Sequence, residues 1–93
     1  MSDLSKSSLI TVSKEVVSCD LAGEVAMLDM KDGVYYGLDP VGATIWNAIQ
    51  KPATVQEVLD TLLEEYEVEE DEAYTDLLEL LEELLEKKLI AVE

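Results

Sequence analysis

The hydrophobic pattern changes period at Asp39-Pro40, and this switch constrains the fold more than any other feature of the chain. Before it, apolar residues come in short β-branched runs broken by turn residues. Leu9-Ile10-Thr11-Val12 and Val16-Val17 read as one broken strand or two short ones, and Ala22-Gly23 closes that segment. Glu24 to Met30 is a further strand, and Val34-Tyr35-Tyr36-Gly37-Leu38 pairs with it antiparallel. The Lys31-Asp32-Gly33 link marks the hairpin, because glycine accepts the positive φ such turns require. After the switch the spacing is helical. Asp39 suits an N-cap, and Pro40 fits the first helical position, where its missing donor is not needed. Ile45, Trp46 and Ile49 share one face of this helix, which Lys51-Pro52 stops.

Thr54-Val55-Gln56-Glu57 is a capping box. It opens a second helix with Val55, Val58, Leu59, Leu62, Leu63 and Tyr66 at helical spacing. A third helix is expected over residues 70–88, with acids in its first turn and lysines at its end, both favourable to the helix dipole. Leu89 to Val92 is a short extended tail. Strands followed by helices predict an α+β domain over residues 9–93: a three-stranded antiparallel sheet followed by three helices, after a disordered tail over residues 1–8.

Charge narrows the functional classes. The 93 residues carry a formal charge of −16, with −13 on residues 53–93. That field repels phosphate backbones and anionic lipid, and a chain without arginine lacks the bidentate phosphate contact. Nucleic-acid and membrane partners are therefore not expected. The plain explanation of the acid excess is solubility and a solvated helix face. One cysteine, Cys19, permits no internal disulfide, and the polar N-terminus does not resemble a signal peptide, so the expected location is cytoplasmic.

Catalytic chemistry finds little to work with. With no histidine and a single cysteine, the chain lacks the usual general base and a zinc donor set. It has no phosphate-cradling glycine loop, and its paired carboxylates follow from the abundance of acids. Neither an enzyme nor a cofactor is expected.

The third helix carries an apolar surplus. With Glu70 at 0°, Ala73, Leu77, Leu80 and Leu84 fall at about 280–340°, and Leu81, Tyr74, Leu85 and Leu78 at about 20–80°. The arc is about 160° wide, against roughly 100° for a one-sided surface helix. Both flanks could be buried in the domain itself, or two copies could pair through the stripe. Alternatively one flank lines a groove for a partner. An exposed sheet edge beside it could accept an added strand.

The run from Val34 to Trp46, with Tyr35-Tyr36-Gly37-Leu38-Asp39 leading into Ile45-Trp46, resembles the PqqD-like family, the recognition elements of ribosomally made, modified peptides. The likeness continues through Thr54, Val58, Leu62, Tyr66, Ala73, Asp76, Leu77, Leu81, Leu84 and Leu89-Ile90. It departs at Lys88, where relatives often have glycine, and at Leu78 and Leu85, where more polar residues are expected. The resemblance implies a winged-helix-like fold in which a leader peptide adds antiparallel to the tyrosine-bearing strand, beside the third helix. It also implies a pathway of lasso-peptide type, with a leader peptidase and a cyclase as partners. A chaperone of the pyrroloquinoline-quinone precursor and a structural module dimerising through the leucine stripe are the alternatives. The expected peptide-binding residues are Val34, Tyr35, Tyr36, Leu38, Tyr74, Leu78, Leu81 and Leu85, in a monomer or weak homodimer. Strand faces alternate, so Tyr35 and Tyr36 cannot both face the groove.

Overall fold

The computed structural model describes residues 4–22 and 24–93. In chain order its elements are β1 (Leu9–Val12), β2 (Val16–Leu21), β3 (Glu24–Asp29), β4 (Val34–Leu38), α1 (Pro40–Ala48), β5 (Ala53–Thr54), α2 (Val55–Glu65), α3 (Glu70–Glu86) and β6 (Ile90–Val92). The fold is α+β, but with two antiparallel sheets where one was expected. One is the meander β2-β3-β4. The other places β1 between β5 and β6. The apolar runs at Leu9 and Val16 are thus two strands in different sheets. The Leu89–Val92 tail supplies the edge of the second, pairing Ile10 with Val92 and Val12 with Ile90. Ala53–Thr54 is too short for any periodicity to mark it.

The meander's register puts Val25, Met27 and Asp29 of β3 on the buried face, opposite Leu38, Tyr36 and Val34 of β4. Gly33 closes the hairpin at φ +70°, donating its N–H to the Asp29 carbonyl at 2.7 Å. The Asp29 carboxylate, itself buried, accepts the Lys31 N–H inside the same turn. Above this sheet α1 inserts Ile45, Trp46 and Ile49, all buried, and Asp39 caps it by accepting the Gly42 N–H at 2.8 Å. The core continues through Val55, Val58, Leu59 and Leu62 of α2 to Ala73, Leu77, Leu81 and Leu84 of α3.

Of the segment expected as a tail, residues 1–3 lie outside the described residues, as does Gly23. Leu4 to Ser8 form a turn whose carbonyls at Lys6 and Ser8 accept the first free N–H groups of α2, from Gln56 and Val55. Lys6 reaches on to α3, 3.5 Å from Glu70 Oε2 and 5.2 Å from the centre of the Tyr74 ring.

Helix ends repeat their sequence signals. The Thr54 Oγ1 accepts the Glu57 N–H, and the Glu57 carboxylate accepts the Thr54 N–H in return. Bonds from the Thr54 backbone and then its side chain hold the Glu57 carboxyl below its ordinary value. A depressed carboxylate stabilises the fold above its unfolded pKa and loses that contribution as pH falls through its folded one. Glu57→Gln should therefore lower the melting temperature at neutral pH, and the gap to the parent protein should close in acid.

The end of α3 is a Schellman motif. Lys88 N–H donates to Leu85 O and Leu89 N–H to Leu84 O, with Lys88 at φ +61° and Leu89 fully buried. A side chain in that region costs about 1 kcal/mol relative to glycine. The departure at Lys88 is thus a strained one. Lys88→Gly should stabilise the protein by about 0.5–1 kcal/mol, a rise of a few degrees in thermal unfolding.

Candidate functional site

Tyr36 and Leu38 point into the domain and pack against the core, whereas Tyr35, on the opposite face, is 75% exposed. Strand alternation therefore settles which tyrosine faces inward. Val34 shares Tyr36's face but stands exposed at the mouth of the hairpin. Among the described residues β4 pairs only with β3, so its other edge is open.

Beside the end of β4 lies a hollow of about 650 Å³. Its strand side is Gly37, Leu38 and Asp39. Val41 and Ile45 of α1, with Leu62, Tyr66 and Val68, form the apolar floor, and Ala73, Asp76, Glu79, Leu80 and Glu83 of α3 form the far wall. Tyr66 is fixed across the floor, its hydroxyl 3.0 Å from Thr44 Oγ1. Further along α3, Lys87 Nζ stands 5.8 Å from the centre of the Tyr36 ring, while 3.3 Å from Glu83 Oε1. One flank of α3, carrying Asp76, Leu80, Glu83 and Lys87, thus runs alongside β4.

This is the flank opposite to the one expected. Tyr74 faces Lys6 and the N-terminal turn, and Leu78 and Leu85 lie on the same side of the helix as Tyr74, at least about 140° around it from Leu80. None of the three lines the hollow. Leu81, also expected in the groove wall, is completely buried. It sits mid-arc and belongs to the core cluster. Of the eight expected residues Leu38 alone lines the hollow; Tyr36 packs on the core beneath Lys87, and Val34 and Tyr35 lie further along the strand. The α3 residues beside β4 are instead Asp76, Leu80, Glu83 and Lys87. Leu80 was visible as an apolar flank position, and Asp76 is part of the family resemblance.

Open edge, apolar hollow and half-covered helix flank can take an extended peptide, with backbone hydrogen bonds from β4 and one side chain in the hollow. The sequence matches the family model for coenzyme PQQ synthesis protein D (PqqD) over residues 24–90, which includes both walls of the groove. The chain belongs to the PqqD family. Its fold is similar to that of TbiB1 in complex with the TbiA(beta) leader peptide, with a TM-score of 0.82 and 34% identity over 86% of this chain and 93% of that one. It is also similar to a lasso peptide synthetase B1 complexed with the leader peptide, with a TM-score of 0.78 and 24% identity over 88% of this chain and 96% of the other. No curated protein matches the sequence.

The arrangement separates core from wall experimentally. Leu81→Ala, at a fully buried position, should cost about 2–5 kcal/mol. Leu80→Ser, at a half-covered one, should cost clearly less. Denaturant melts of the two variants give the comparison directly, and equal losses would place Leu80 in the core.

Proposed function

We propose that this PqqD-family chain is a non-catalytic binding module for the leader segment of a ribosomally made precursor peptide. The leader adds as an antiparallel strand to the open edge of β4, and the module delivers it to a leader peptidase or another maturation enzyme of a lasso-type pathway. One observation carries the reading: the open edge of β4 borders an apolar-floored hollow walled by α3, in a fold shared at 34% identity with a protein whose structure holds a leader peptide. Backbone groups of Val34 to Leu38 give register and affinity. Leu38, Leu80 and the floor at Ile45 and Leu62 receive an apolar side chain, and Tyr36 closes the other end under Lys87.

Among the described residues no cluster of acids and cysteine could hold a metal ion, and no helix is long and apolar enough to cross a membrane. Binding requires neither. The size of the hollow falls within the range of ordinary ligand pockets, about 300–1,000 Å³. It has room for more than one side chain of an extended peptide.

The test is a titration of the isotopically labelled protein with a synthetic leader from its cognate precursor peptide, followed by amide chemical shifts. Residues 34–38 and 76–87 should move together. Burying half a leucine is worth about 1 kcal/mol, so Leu80→Ser should weaken binding about five-fold while Leu78→Ser leaves it within about two-fold. A leader that leaves β4 untouched defeats strand addition. Shifts confined to Tyr74, Leu78 and Leu85 would move the site to the other flank, and shifts there that grow with protein concentration would indicate self-pairing.

A further inference from the structure

The walls of the groove are not evenly charged along its length. At the end where β4 runs into α1, Asp39, Asp76 and Glu79 all line the hollow, and none of the three forms an ion pair among the described residues. At the other end, Lys87 stands over Tyr36 and is paired with Glu83, so that end is close to neutral. From Asp76 to Lys87 is eleven residues of helix, about 16 Å, which matches about five residues of extended strand. A strand lying on β4 therefore crosses from a triply acidic end, over an apolar middle, to a neutral end.

The direction of the added strand converts this gradient into an order of residues. An antiparallel strand begins where β4 ends, beside Asp39 and Asp76, and finishes near Tyr36 and Lys87. The geometry points to a charge-ordered ligand: a segment with lysine or arginine at its N-terminal end, an apolar side chain about two or three residues on that enters the hollow against Leu38 and Leu80, and no basic residue at its C-terminal end. The inference rests on the proposed strand addition and adds the chemistry of the peptide that fits. The acids are exposed, so each contributes modestly and is screened by salt. Their value lies in register. A basic residue at the wrong end meets Lys87, and sliding the strand to correct this takes the apolar side chain out of the hollow.

Two acetylated and amidated nine-residue peptides test this. They share a Thr-Val-Leu-Val-Thr centre and identical composition. One has two lysines before the centre and two glutamines after it, and the other has these reversed. Fluorescence anisotropy at about 50 mM and 500 mM salt gives affinities, and amide shifts of residues 34–38 report strand addition independently. The lysine-first peptide should bind about five-fold more tightly at low salt, and the preference should shrink towards unity at high salt. In the double variant Asp76→Asn, Glu79→Gln the preference should fall to about two-fold or less. Equal binding of both peptides with β4 shifts intact would overturn the charge order and leave strand addition standing. Preference for the reversed peptide would overturn it by showing a parallel strand. If neither peptide shifts β4 while the leader does, charge order and one apolar side chain do not define the ligand, and the inference fails alone.

Discussion

The buried seam of α3 is the constraint on which the rest of the molecule depends. Ala73, Leu77, Leu81 and Leu84 are almost wholly removed from water, and they do this by facing α2 and the core beneath both sheets. A seam in that position leaves two flanks to account for. The N-terminal turn, with Lys6 across Tyr74 and Glu70, takes one. The other faces β4 across a gap that no element of the described chain fills. The groove is thus a by-product of how α3 is anchored.

Open strand edges are hazards in a folded protein, and this one is managed electrostatically. The acids of the far wall set a negative field around unpaired backbone groups of β4, in a chain already carrying −16. Another copy approaching edge to edge meets its own charge. A partner with basic residues near one end does not. In the charge-ordered binding proposed above, the same side chains would both oppose self-pairing and favour a basic-ended strand, a role beyond solubility for the acidic half.

Much of this was legible from residue types. Asp39-Pro40, the Thr54–Glu57 box and Asp32-Gly33 each act within a few residues of themselves, so local chemistry located α1, α2 and the hairpin. The open edge and the apolar surplus of α3 were legible for the same reason. Which flank of α3 meets β4 was not. A helical wheel is symmetric about its buried seam, so Leu80 and Leu78 look alike until the path of the whole chain decides which side lies next to the strand. Leu81 is wholly buried although it sits mid-arc on the wheel, because burial depends on the packing of the whole core. The second sheet was half visible: the β1 run reads as a strand and Leu89 to Val92 as an extended tail, but their pairing joins residues some eighty positions apart, which no local pattern encodes.

That pairing has a consequence for the order in which the molecule assembles. The β2-β3-β4 meander closes short loops and can form early. The β1–β6 ladder must bring distant segments together and pays the entropy of a long loop first. The strand that offers the open edge belongs to the fast, local half, while the C-terminal end of the helix opposite it is tied down by the slow one, through Leu89 and Ile90. A chain that closed the meander first would hold the edge before the far end of its wall was tied down, and until then that edge would have no selectivity among strands.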